Sequence, residues 1–308
     1  WSELVKVFLA VKDNPDTLKT YVNTVLGEDW KELEGDGIEY EYLYAAREDF
    51  SIEPIPNDIK VIVAGVDVQG TPGSATGRLE VAVLGYGEGE EAWAIDHVVI
   101  EGDPGLADVW KALDDVLAKE YTNEDGTAIK VYRACIDSGG GYTQSVYDYV
   151  RSRQDIIYAV KGSSMAGKAI FTKPSIQKGV RLFMIGTDTC KDLIYSRLRI
   201  GDGGPGAYHW HMQFQADYFR QLVAERVVKR MKAGVAVREW HCPKGMRNEV
   251  LDCYVYALAA LRMTGVDLST AAPRHNAIVK HNATGNNVTR TNRQSRPKRK
   301  GGWMRSIR

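Results

Sequence analysis

The chain has 308 residues, of which 44% are hydrophobic and 26% charged. That is enough to bury one large core or two modest ones, and it excludes a fibrous or low-complexity protein. No apolar run approaches the ~18 residues of a transmembrane helix, so no membrane partner is expected. The formal net charge of zero conceals an asymmetry. Residues 264 to 308 hold ten Lys or Arg and one acid, Asp267, which leaves 30 basic and 39 acidic side chains to the rest.

The opening "WSELVKVFLAVKDNPD" has neither an initiator Met nor a basic stretch ahead of an apolar one, so the chain is expected to begin inside a longer protein. "SELVKVFLAVK" and "PDTLKTYVNTVLG" have helical spacing, with Pro15 near a helix start and Gly27 after its end, and "EPIPNDI" then breaks the chain. Residues 1–59 therefore read as a helical and irregular linker. From Lys60 the texture changes to short strands: "KVIVAGVD", "LEVAVLGYG" and "EAWAIDHVVI", the last two joined by "EGE" as in a hairpin. An amphipathic helix, "GLADVWKALDDVLAKEY", precedes the strand "KVYRACID", the helix "TQSVYDYVRSR" and the strand "DIIYAVKG". The order β-β-β-α-β-α-β predicts an α/β domain over residues 60–263, a mixed sheet flanked by helices. Residues 264–308, poor in apolar side chains and rich in Asn, Thr, Arg and Gly, are expected to form a disordered basic tail that meets an acidic partner.

Two of these strands end on an aspartate, Asp67 in "VIVAGVDVQG" and Asp137 in "VYRACIDSGGGYT". Acids at the ends of apolar strands are costly unless paired, hydrogen-bonded or bound to metal, although each alone is also what a loop or a helix cap looks like. A third acid, Asp252, lies in the apolar helix "RNEVLDCYVYALAAL". Its plainest explanation is local: Asn248 caps the helix, and Glu249 and Asp252 favour the positive end of its dipole. Its chemical explanation is that three carboxylates converge. Carboxylate oxygens suit Mg²⁺ and Mn²⁺ and can hold two ions about 3.5–4 Å apart around a phosphodiester.

Five segments in order, "YVNTVLGEDW", "VAGVDVQG", "CIDSGGGYT", "AVKGSSMAGKAI" and "RNEVLDCYVYALAAL", resemble the C-terminal part of the lambda-like large terminase subunit, the GpA family. The resemblance covers residues 1 to about 263. It implies an RNase H-like endonuclease fold, with Asp67, Asp137 and Asp252 as catalytic, metal-binding acids for two Mg²⁺ or Mn²⁺ ions. It also implies that the protein cuts concatemeric viral DNA for packaging in the host bacterial cytoplasm. Double-stranded DNA, the small terminase subunit and the portal protein, the last through the C-terminal tail, are the implied partners. Two rivals remain: a transposase or resolvase of the same fold, and a noncatalytic portal-docking module that keeps the acids for structure.

The family's N-terminal ATPase is not expected here, although Gly162 to Ala169, "GSSMAGKA", imitates a phosphate loop. Ala169 stands where a Ser or Thr would hold Mg²⁺, and "IFTKPS" reads as strand and turn rather than helix, so ATP hydrolysis is not expected. Lys161 and Lys168 are instead candidates for contacts to DNA phosphates. "YHWHMQ" and "WHCP" bring to mind a zinc site from His209, His211, His241 and Cys242, but no spacing between the pairs supports one. The four cysteines lie far apart without C-x-x-C, which argues against a zinc ribbon or a disulfide framework and fits a reducing compartment.

Overall fold

The computed structural model describes residues 2–11, 20–26, 37–73, 76–163, 165–201, 203–232 and 235–271. Two helical pieces come first, α1 (Ser2–Val11) and a π-helical turn at Val22–Leu26, followed by a short helix α2 (Tyr40–Ala45). Pro15 and Gly27, the expected helix-boundary signals, lie outside the described residues.

The core is a nine-stranded sheet. β1 (Val61–Gln69), β2 (Arg78–Tyr86) and β3 (Ala92–Glu101) form the expected antiparallel meander. α3 (Ala107–Ala118) and the short β4 (Glu120–Thr122) lead to β5 (Ala128–Asp137), which returns parallel to β1. α4 (Thr143–Val150) then crosses to β6 (Ile157–Gly162), parallel to β5. Every element predicted between residues 60 and 162 is present, and the mixed α/β sheet flanked by helices agrees with the expected fold.

Beyond Gly162 the sheet grows in ways the periodicity did not show. β7 (Ser175–Gln177) and β8 (Val180–Ile185) extend one edge, and β9 (Tyr208–Trp210) pairs parallel with β3 at the other. The strand order is β7-β8-β6-β5-β1-β2-β3-β9, with β4 on β5. α5 (Thr187–Arg197) and α6 (Ala216–Leu222) flank β9 in the chain, and β10 (Arg226–Lys232) and β11 (Val235–His241) form a separate antiparallel ribbon. The last helix is α7 (Glu249–Thr264).

Strand alternation sorts the side chains into two cores. Ile62, Ala64, Val66, Leu79, Val81 and Val83 pack with α3 and α4 on one face. Val61, Val63, Ala82, Leu84 and Cys135 pack with α5, α6 and α7 on the other. α7 is apolar nearly all round because it lies inside that second core, with every residue from Cys253 to Leu261 buried. Packing does not stop where the tail was expected to begin: after Gly265 ends α7 in the left-handed conformation, Leu268 is buried against the same core. The rest of the expected tail, residues 272–308, lies outside the described residues, as does the whole of a second unit, Val279–Arg308. Among the described residues no helix is long and apolar enough to cross a membrane.

Candidate active site

Alternation also places the acids. Asp67 shares its face of β1 with Val61, Val63 and Gly65, the face that α7 covers. Asp137 shares its face of β5 with Cys135. β1 and β5 run parallel with Val66 opposite Ile136, so Asp67 and Asp137 follow side by side where these two central strands end. Asp252 arrives from above. α7 passes so close to β1 that a Cβ on Gly65 would lie 1.9 Å from the Cys253 carbonyl oxygen and 2.6 Å from the Ala257 nitrogen. Glycine is required at that crossing, and the crossing brings the first turn of α7 over Asp67.

The three acids are electrostatically linked, Asp252 and Asp137 acting on Asp67 and Asp137 acting on Asp252. Burial pushes the Asp67 carboxyl well above the usual carboxylate range, and the charges of Asp252, Asp137 and Glu249 push it further, against a hydrogen bond from Gln69. Asp67 is only 3% exposed. Asp137 is also raised, by burial, while the Gly139 N–H (3.1 Å), the Tyr256 hydroxyl and the Lys161 ammonium work to lower it. Asp252 is pushed up to about 6 by burial, with Lys191 opposing and Glu225 and Asp137 adding to the rise. The Tyr256 hydroxyl is held in its neutral form by burial and by the same three aspartates, so it remains a donor.

Asp252 is anchored on its far side. The Lys191 ammonium lies 3.4 Å from Asp252 Oδ1 and 2.6 Å from Glu225 Oε1, and Asn248 Nδ2 donates to Asp252 Oδ2 (3.0 Å) and Glu225 Oε1 (2.7 Å). Burial disfavours the Lys191 cation, but Asp252 and Glu225 raise its proton affinity overall. The local explanation of Asp252 is corrected in part: Asn248 does occupy the N-cap position, yet its side chain makes no capping bond and is spent on the two carboxylates. The first turn of α7 is organised around the site rather than around its own end.

A second network stands beside Asp67. Its antiparallel partner Glu80 is fully buried and is reached by Arg78 (2.7 Å), by Arg247 and, at 3.6 Å, by His97. Arg78 and Arg247 also pair with Glu249. Burial alone would raise the Glu80 carboxyl, but His97, Arg78 and Arg247 together hold it down to about 2. Glu80 carries the same signal as Asp67, a lone acid in an apolar strand, and could have been found in "LEVAVLGYG". Tyr256 was legible as the residue one turn beyond Asp252. Lys191 and Glu225 had no such signal, because their pairing spans 34 positions and joins a helix to a loop.

Of the two lysines expected near DNA, Lys161 is exposed, follows Val160, the strand partner of Asp137, and acts on the Asp137 carboxyl. Lys168 lies in the loop after β6, its carbonyl held by the Thr189 hydroxyl, and it takes no part in the interactions just described. The phosphate-loop imitation is followed by a bridge at Phe171 and then β7, not by a helix. His209 sits between Glu48 (2.7 Å) and Glu91 (2.8 Å) and stacks on Trp93. His211 instead accepts from the Gln213 N–H.

As donors, the aspartates supply only carboxylate oxygen, which matches a hard divalent cation. Crowded like charges in a buried site are also what such a cation relieves. The donors are not yet gathered: among the described residues no three His, Cys, Asp or Glu side chains stand close enough to share an ion. Asp252 is turned toward Lys191.

A mixed sheet with Asp67 buried and Asp137 half-buried at the ends of adjacent central strands, and with Asp252 on the packed helix above them, defines an α/β protein with an acidic centre. Residues 1–275 match the model of the terminase large subunit gpA endonuclease domain, and the chain belongs to that family. It is 35% identical over 276 residues to the terminase large subunit of Escherichia phage lambda, covering 86% of this chain and 42% of that relative. It is 34% identical over 278 residues to the terminase large subunit of Enterobacteria phage P21, with the same coverage. The chain thus spans less than half the length of these relatives.

Proposed function

We propose that this chain is a metal-dependent DNA endonuclease of a phage packaging machine, RNase H-like in fold, that cuts concatemeric viral DNA. The observation that carries the reading is the placement of Asp67 and Asp137 at adjacent strand ends, with the Asp252 and Asp137 charges both raising Asp67, within a member of the terminase endonuclease-domain family. Two Mg²⁺ or Mn²⁺ ions bound there would supply Lewis-acid activation of water and stabilisation of the leaving oxygen.

The chain's own residues do the rest. Asp67 and Asp137, fixed at adjacent strand ends, form the immobile side of the site, with Gln69 and the Gly139 N–H orienting their oxygens. Tyr256 donates to Asp137 and so fixes that carboxylate from the α7 side. Asp252, beside Lys191 on α7, would supply the third carboxylate to the cation. Lys161, exposed beside Asp137, is placed to meet a DNA phosphate, and the resemblance extends the partners to the small terminase subunit and the portal protein. No ATP hydrolysis belongs to this chain in that reading.

Plasmid nicking tests it. The parent should nick or linearise plasmid with Mn²⁺ or Mg²⁺, be silent in EDTA, and release no phosphate from ATP, while Asp67→Asn, Asp137→Asn and Asp252→Asn each lose at least a hundredfold in rate. An Asp67→Asn protein that cuts at the parental rate would refute the assignment.

A further inference from the structure

The face that carries the aspartates continues past β2 into a second concavity. β3 and the α6 region wall a cleft of about 370 Å³ whose lining includes Asp96, His97, Phe214, Tyr218, Gln221 and Arg247. Glu80 joins it to the acidic centre. Arg247 and His97 both reach Glu80, and Glu80 is the strand partner of Asp67. From β1 to β3 is two strand spacings, ~10 Å, or about three base steps of a DNA duplex.

The lining has a defined chemistry. Gln221 is 4% exposed, and its Nε2 donates to Asp217 Oδ2 at 2.8 Å. A carboxylate only accepts, so this bond fixes which way the amide points. Gln221 Oε1 is then left without a partner among the described residues, and a buried acceptor in that condition is costly. Asp96 and Asp217 add further acceptors to the lining, while Arg247, the cation at its edge, is engaged by Glu80 and Glu249. At Gln221 the cleft thus presents an acceptor rather than a donor. Its apolar wall is aromatic: Phe214 and Tyr218 are both buried, with ring centroids 4.5 Å apart.

A planar ligand with N–H donors on its edge, carried on a chain whose phosphates lie toward Arg247, matches this lining. We propose that the cleft receives a nucleobase bearing an exocyclic amino group, from the DNA strand whose phosphate lies at the aspartates. The proposal rests on the nuclease reading for its substrate. The base stacks on the Phe214 and Tyr218 rings, its amino group donates to Gln221 Oε1, and a base with a carbonyl in that place meets acceptor with acceptor.

Cytosine and uracil differ at that position and in the proton on the adjacent ring nitrogen, and hardly in size, so they make the test. Labelled oligodeoxycytidine and oligodeoxyuridine heptamers are titrated by anisotropy against the full chain in EDTA, where no cleavage occurs. The parent should bind the cytidine heptamer at least fivefold more tightly. Gln221→Leu and the milder Gln221→Met should lower that affinity to the uridine level and leave uridine binding unchanged. Hydrogen exchange on the parent supplies a readout that needs no variant: the cytidine heptamer should protect residues 213–222 more than the uridine heptamer does. Equal binding of the two heptamers, a preference that survives loss of Gln221, or equal protection overturns the proposal. Plasmid nicking by the same preparation in Mn²⁺ keeps the failures apart. Nicking without base preference removes the cleft alone, and preference without nicking removes the nuclease reading alone.

Discussion

Asp252 carries two opposed interactions, and their balance sets a measurable sign. Its folded carboxyl titrates at about 6 against an ordinary 3.8, so the native state holds that proton more tightly than the unfolded chain does. The stabilisation is complete below pH 4 and is lost as pH rises through 6. Asp252→Asn removes this dependence. In EDTA the variant should melt with the parent at pH 4 and be more stable by about 1 kcal/mol at pH 8, because the charged carboxylate is disfavoured in the folded state even with the Lys191 contact in place. Mn²⁺ should raise the parent's melting temperature at pH 8 and barely move the variant's. A variant less stable than the parent at pH 8 would mean that Lys191 and Asn248 dominate the site. Lys191 gives the complementary experiment. Lys191→Met leaves Glu225 charged and 5% exposed, which should cost about 3–5 kcal/mol, and adding Glu225→Gln should restore most of it. Chemical denaturation of the three proteins decides this. At this scale the sequence shows the carboxylates, because a lone acid in an apolar run is conspicuous. It hides Lys191 and Glu225, whose meaning depends on which helix lies against which loop.

At the scale of elements, the site depends on the distance between α7 and β1. Main chain meets main chain at Gly65, so a side chain there has nowhere to go. Gly65→Ala should destabilise by more than about 3 kcal/mol, beyond the usual cost of overpacking, because neither backbone has a rotamer with which to yield. If α7 instead lifts away, the folded variant should lose both cleavage and the Mn²⁺ shift in melting temperature. A Gly65→Ala protein of parental stability and activity would show that the crossing is looser than it looks. The meander and the β5–α4–β6 unit were legible because each strand is an apolar run bounded by turn residues and each helix is amphipathic. β9 and α6 were not legible as elements of this architecture. A three-residue strand and a seven-residue helix owe their form to the rows of residues they cover on β3 and α7, not to their own periodicity.

For the whole molecule, the charge is unevenly divided along the chain. Leu268 belongs to the core, while all ten of the terminal Lys and Arg lie from Arg274 onward. A chain ending at residue 271 should keep its melting temperature and, at saturating protein, its nicking rate. With 30 basic and 40 acidic side chains left, its formal charge becomes −10, so its affinity for plasmid DNA at about 50 mM salt should fall at least tenfold, with a shallower dependence on salt. Unchanged DNA retention would assign the affinity to the folded body. At the opposite end, Glu48 ties the segment before β1 to β9 through His209, and that imidazole lies 4.9 Å from the Trp93 ring at an interplanar angle of 11°. An imidazole stacked on an indole quenches its emission. The chain thus carries its own optical gauge: the emission lost on Trp93→Phe should be small in the parent and large once Glu48→Gln and Glu91→Gln together free the imidazole, so that light from one indole reads how firmly His209 is held against the sheet.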